Sequence, residues 1–553
     1  MKKIIYSFAL IILSNFNYSQ IFVDINATGS DDGSSWANAY TDLQDALDAV
    51  NADYQEVWVK SATYKPDKDF SGNLNPTDPR TKRFTISTYI TVVRGGFIGT
   101  ETAGFQSNPD LYPTIIDGNI GNQNDSLDNT YSLFYCQTGA DFIGLSITNA
   151  NSSGASNIDN SAIYSVSNEL IRVMRCQLKN NYSNYRGGAI SISNSGGSLF
   201  TSETLFENNR SYEQGGAIYS TGQCQVSICK FNQCRSSYGG AIKFWGIFDN
   251  RVEFSTFTLC TSDLGKGASI QAFNATVTLA NCSFYGNNNV YGEFSTYDQF
   301  GQSSFNVYNS IIVNNSSTSI ANVDSGNDPY NFNACITNLA LTSPSSNCLV
   351  GDPLFVNPPS NLTLQSCSPA IENSISYIMP SYMATPSTQN ENYRELGSFE
   401  YFAPVVTPSG TSYLYMATAF PIEPSSWQWI DCNTNTPISG ETGNTFYPNQ
   451  SGDYAIVAIF PSCNDTSNCE SFTVSTSDIF ELTNTFNIFP NPTTNNIHIQ
   501  LNTIGSIEII SLDGKVIYSD SNKLNYQVDL SSYEKGVYMV RSENGTTQKF
   551  IKQ

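Results

Sequence analysis

The chain has 553 residues, enough for about three domains, and a formal net charge of -22, which repels nucleic acid and acidic surfaces at long range. Only 13% of residues are charged, and the wealth of Asn, Ser, Thr, Gly and Tyr suits a turn-rich, all-β extracellular protein. The 13 cysteines contain no CxxC pair and the single histidine is His498, so the usual zinc patterns are excluded.

Residues 1–19 read as a secretory leader: Lys2 and Lys3 precede the apolar run Ile4 to Leu13, and Ser19 is a small residue before a cut at Gln20. No later stretch is apolar over 18 residues, which predicts no transmembrane helix. TDLQDALDAV predicts a capping helix with Leu43, Ala46, Leu47 and Val50 on one face and a Thr41–Gln44 capping box. It would plug a first coil beginning at EVWVKSATY. From there two markers advance together. Ile163, Ile190, Ile218, Ile242 and Ile270 form one. The other is an apolar residue with Asn or Cys three places on: Leu178/Asn181, Phe206/Asn209, Phe231/Cys234, Phe257/Cys260, Phe284/Asn287 and Ile312/Asn315. Both step by about 26 residues, with strand-like alternation around each marker and no helical period. One unit per coil of a right-handed parallel β-helix explains this. The glycine pairs of the GGAI units then belong to corners that need positive φ or room for a neighbouring backbone, since no helix follows them to make a phosphate loop. DPLFVNP and LTLQSCSPAIEN read as partial coils near the far end.

If the marker isoleucines point inward, their neighbours form an outward row that includes Tyr164, Ser191, Ser193, Tyr219, Lys243, Trp245, Gln271 and Phe273. Tyr219, Lys243, Trp245 and Phe273 are the candidate glycan-binding set, with aromatic faces for pyranose rings and polar neighbours for hydroxyls. A sharper version makes Lys243 or Tyr219 the base of a lyase acting on a uronate; an ordinary Tyr- and Trp-rich surface strand is the plain alternative. No catalytic residue is assigned. DGNIGNQNDSLDN offers Asp117, Asn119, Asn122, Asp125 and Asp128 as candidate calcium ligands, without the Glu and spacing of an EF-hand; a solvated Asx-rich turn is the simpler reading of the same residues. Cys176, Cys229 and Cys282 recur two places before the apolar marker, and Cys234 and Cys260 share one turn position, so stacked thiols can either bond or stay buried and reduced.

Taken in order, IFVDINATGSDDGSSWANAYTDLQDAL, EVWVKSATYKP, RGGFIGTET, the GGAI units, DPLFVNP, SPAIEN and ELGSFEY resemble the secreted, pectate-lyase-like choice-of-anchor Q domain proteins over residues 21 to 401. That resemblance implies a β-helix with variable anchoring and no defined activity. Where the family often carries a Tyr-His pair, this chain reads NTYSLF, so no role for that histidine transfers. The stretch 403–476, with WQWIDC and SGDYAIVAIF, resembles the immunoglobulin-like repeats of bacterial surface proteins; Cys432, Cys463 and Cys469 can supply one disulfide. After a linker at 477–485, residues 486–553 resemble the type A C-terminal sorting domain of the type IX secretion system. The match rests on Pro490, Asn491, Pro492, Asp513, Gly514, Lys515, Leu530, Gly536, Tyr538, Lys549 and Lys552. It implies a small β-sandwich read by the secretion machinery and removed by a sortase-like enzyme. The cargo is then released or linked to surface lipopolysaccharide. The expectation is an all-β exported protein: β-helix at 20–402, immunoglobulin-like sandwich, sorting domain. Its expected role is non-catalytic glycan binding or adhesion, with a polysaccharide lyase as the alternative.

Overall fold

The computed structural model describes residues 20–155, 160–288, 292–297, 303–313, 320–323, 330–341, 343, 345–365, 367–371, 397–398, 406–409, 413–416, 424–460, 463–474, 486–512, 514–543 and 545–553. The expected leader at 1–19, the expected linker at 477–485, Asn315 and Asp513 lie outside them.

The two markers are strand positions in a parallel β-solenoid. Ile163, Ile190, Ile218, Ile242 and Ile270 pair in direct register from coil to coil. So do Leu178, Phe206, Phe231, Phe257, Phe284 and Ile312. Each coil crosses a first sheet running from Ile21–Val23 to Ser345–Ser346, a second from Thr63–Tyr64 to Leu349–Val350, and a third from Phe84–Ile86 to Ala321–Val323. In-register stacking puts like side chains in contact. The rings of Phe206, Phe231, Phe257 and Phe284 lie 4.6–4.7 Å apart and nearly parallel. Each is fully buried, a position at which a Phe side chain contributes about 1.5–3 kcal/mol. The Asn ladder works as stacking requires: Asn209 donates to the Leu178 carbonyl at 2.7 Å, and its Oδ1 accepts from the Asn181 backbone at 3.2 Å.

The glycine pairs serve both expected purposes, one per residue. The first glycine takes positive φ, at +54° in Gly187, +63° in Gly215 and +65° in Gly239. The second admits the next coil: a Cβ on Gly216 would lie 2.1 Å from the Gly240 carbonyl oxygen. The ladder also runs further than its spacing shows. Phe84 and Phe134 precede Ile163 in the same register, and Phe294 and Ala321 follow Ile270. The early coils hide because the gap between Phe84 and Phe134 is nearly twice the period.

Two end pieces differ from expectation. The helix is Leu43–Asp48, and its N-cap is Asp42, whose carboxylate accepts from the Gln44 and Asp45 backbone. Thr41 bonds Asp31 instead. Gln44 is freed from the capping box and clamps both backbone groups of Thr85, at 2.7 and 3.1 Å. That closes the open edge of the third sheet. The helix face Leu43, Ala46 and Leu47 is buried as expected, with Val50, but a strand, Ile21–Val23, pairs ahead of Gln55–Lys60 and opens the stack. DPLFVNP and LTLQ are not partial coils. Phe355–Asn357 and Asn361–Leu364 form an antiparallel hairpin that covers Ile311, Val313 and Ile336 on the outside of the second sheet. Alternating apolar residues fit either role, which is why the pattern misleads.

Beyond the solenoid the described strands are antiparallel. Trp429 is fully buried, pairs with Ile456, and donates its indole N–H to the Gly443 carbonyl at 2.9 Å. Cys432 bonds Cys469, and Cys463 reaches back to Cys367. The last sheet comprises Asn487–Phe489, Asn496–Ser511, Val516–Asp529, Gly536–Ser542 and Thr547–Lys552 around a core of its own.

Candidate functional site

The outward row of the third sheet exists in register: Tyr135, Tyr164, Ser191, Tyr219, Lys243 and Gln271 stack coil upon coil. None of these belongs to the solenoid core, so the alternation assigned their side correctly. Their accessibility is another matter. Tyr219 is 1% exposed and Lys243 4%, so the middle of the row is not an open surface strand. Arg186 lies over the Tyr219 ring at 4.7 Å. The Lys243 ammonium donates to Gln271 Oε1, and Gln271 donates to Ser295 Oγ at 3.2 Å. Trp245 and Phe273 remain half-buried. Their rings stack at 3.9 Å and 15°, so one face of each is taken by the other. Lys243 Nζ sits 5.6 Å and 5.3 Å from those two rings. The four predicted residues therefore meet, but only the two aromatic rings are open to a ligand.

A second cluster on the same row escaped the sequence reading. Arg83 lies 4.1 Å over Tyr135 and 5.2 Å from the exposed Phe70 ring, and Tyr135 packs against Tyr164 at 5.8 Å. Burial lowers the Arg83 pKa, partly offset by Tyr135 and Tyr164. Arg83 Nε and Ser191 Oγ are buried without a hydrogen-bond partner among the described residues. The signal for Tyr135 was present in YSLFYCQ, yet the coil spacing that would flag it is interrupted there.

The calcium set lies in a loop whose aspartates make local contacts. Asp117 accepts from Asn119 and Asn149 and faces Lys65 at 3.5 Å. Asp125 accepts from the Leu127 backbone, Asp128 from the Asn122 backbone, and the Asn119 amide donates to Gln123. Asp117, Asp125 and Asp128 each commit one oxygen to local turns, as Asx-rich loops do, whereas Asn119 Oδ1 and Asp128 Oδ1 are buried without a hydrogen-bond partner among the described residues. Among the described residues no group of three His, Cys, Asp or Glu side chains is placed to hold a metal.

In the tail the motif residues are mostly structural. Asn491 holds the final strand through both side-chain atoms, donating to Lys549 O and accepting from Ile551 N, each at 3.0 Å. Pro490 and Pro492 flank it in the turn that follows Asn487–Phe489. Lys552 is buried and donates to the Leu530 and Tyr533 carbonyls. Tyr538 is buried, donates to Glu534 O at 2.8 Å and stacks on Phe550. Gly514 takes φ +85° in the turn before Lys515, and Gly536 opens its strand. Lys549 is exposed.

Residues 487–553 match the family described as the secretion system C-terminal sorting domain. No curated protein and no solved structure matches the chain. The solenoid and this tail define a class: a protein recognised by the type IX secretion machinery and exported to the cell surface or beyond it. Among the described residues no helix is long and apolar enough to cross a membrane.

Proposed function

We propose that the protein is a non-catalytic, glycan-contacting surface or secreted β-helix, carried out of the cell by its tail. The division is a β-helix at 20–402 of the choice-of-anchor Q kind, an immunoglobulin-like spacer at 403–476 and a sorting domain from 486. The sorting domain is removed by a sortase-like enzyme during delivery. The observation that carries the glycan reading is the outer side of the third sheet, where aromatic rings, cations and hydroxyls lie on neighbouring coils. Phe70, Arg83, Tyr135 and Tyr164 stand at one end, and Trp245 and Phe273 at the other. Aromatic rings with polar tips suit sugar faces and hydroxyls. The chain's acidity makes the half-buried Arg83 the natural contact for any acidic sugar. The test is a glycan array probed with the mature protein, with Trp245→Ala and with Tyr135→Ala, each checked for an unchanged melting temperature. Loss of bound sugars in either variant supports the reading; a full set of signals in both removes it.

A further inference from the structure

The corner between the first and second sheets carries a column that the single chain order conceals. On successive coils it reads Cys176, Thr204, Cys229, Ser255, Cys282, Ser310, Cys335 and Cys348. Each follows a residue of positive φ: Arg175, Glu203, Ile228, Phe254, Asn281, Asn309, Ala334 and Asn347. Cysteine alternates with a hydroxyl residue, and the hydroxyl has a fixed task. The Cys176 backbone donates to Thr204 Oγ1 at 3.4 Å, Cys229 to Ser255 Oγ at 3.1 Å, and Cys282 to Ser310 Oγ at 3.2 Å. Alternation keeps successive thiols two coils apart, about 9.6 Å, beyond the roughly 7 Å limit for a disulfide.

The last step breaks the pattern. Where a hydroxyl is due, Cys348 stands, and the Cys335 backbone donates to Cys348 Sγ at 3.4 Å. Asn333 pairs with Ser346 and Ile336 with Leu349, so the two cysteines lie opposite each other on adjacent coils. That puts their Cα atoms at about the 4.8 Å strand spacing, within the disulfide range. The place also needs a clasp. The strands of this final coil, Ser345–Ser346 and Leu349–Val350, are two residues each and exposed.

We propose that Cys335 and Cys348 form a disulfide that closes the last coil of the solenoid during export. Cys348 is half-exposed and Cys335 buried, so Cys348 is the attacking sulfur. A hydrogen bond from the Cys335 thiol holds Cys348 down to about 7, which raises its thiolate fraction near neutral pH. The oxidant is the disulfide form of a thiol–disulfide exchange protein in the exported compartment. Cys348 sulfur attacks one carrier sulfur to give a mixed disulfide, and Cys335 sulfur then displaces the carrier. One S–S bond forms in the solenoid and one breaks in the carrier, which leaves with both electrons and both protons as two thiols. Cys234 and Cys260 also occupy adjacent coils, but both are fully buried inside the core, out of reach of a carrier once the coils have stacked.

The experiment is peptide mapping of the full chain purified from the producing cell. It is unfolded in acid and alkylated before and after reduction, then digested and weighed. The expected result is a Cys335–Cys348 peptide pair, with both residues alkylated only after reduction. Cys348→Ser restores the alternation and leaves the Cys335 amide its acceptor, so it folds; in it Cys335 becomes alkylated without reduction. Direct alkylation of both residues in the wild type, or a bond from either one to another cysteine, overturns the proposal.

Discussion

The middle coils and the C-terminal tail are both β structures, yet their named residues answer to different neighbours. In the coils each marker meets its own counterpart one step along: Phe231 lies between Phe206 and Phe257, and Asn209 bonds Asn181 on the coil before it. In the tail the motif residues hold unlike partners, Asn491 gripping the last strand and Lys552 two carbonyls. Repetition makes the coil residues explain one another and leaves only the outer face to carry specificity. The tail's residues define one small sheet, and that sheet sets where the whole chain goes.

The ring column is where a single substitution costs the coils most. Phe231→Ala removes a fully buried ring stacked on two others, and should lower stability by about 3–5 kcal/mol in denaturant unfolding of the solenoid. A loss below 1 kcal/mol would mean the column does not hold the coils.

A buried carboxylate gives the next effect. Glu293 fills the slot that Ala217, Ala241 and Ser269 hold on earlier coils, bonding Ser269 and Asn287. Burial pushes its pKa from 4.5 up to about 8, against those two hydrogen bonds. The folded state thus keeps a proton that the unfolded chain has released between those values. Stability is full below 4.5 and falls as pH rises to about 8, by at most about 1.4 kcal/mol per unit. Glu293→Gln should flatten that slope in unfolding curves taken from pH 5 to 8; an unchanged slope would rule the group out.

Within the tail the two lysines separate. Lys552→Met takes the ammonium donor from the Leu530 and Tyr533 carbonyls and should cost about 1–3 kcal/mol. Lys549→Met, at an exposed position, should leave the melting temperature unchanged and act only on export if the machinery reads it. Equal losses in both would contradict the division between structural and displayed motif residues. The smallest effect belongs to calcium. Melting in calcium and in chelator should coincide, because Asp117, Asp125 and Asp128 are engaged by their own loop.

Sequence made the ladder legible because register repeats residue types at one spacing, and it placed the glycines in corners for the right physical reasons. It also separated inward from outward along each strand. What it did not show is what lies over the outer face: alternation assigns Tyr219 and Lys243 a side, not an exposure. The Phe70–Arg83–Tyr135 cluster was hidden by long excursions between early coils, and the hairpin at 355–364 by an apolar alternation that coils share. The second disulfide, Cys367 with Cys463, joins segments with no common repeat, so spacing carried no sign of it.

Where the chain ends up tests the sorting role of the tail. The full chain and a chain ending at residue 486 are each measured in the periplasm, at the cell surface and in the medium. The full chain should be found outside, and the shortened chain should stay in the periplasm with the solenoid's melting temperature unaltered. Equal delivery of both to the outside would contradict that role.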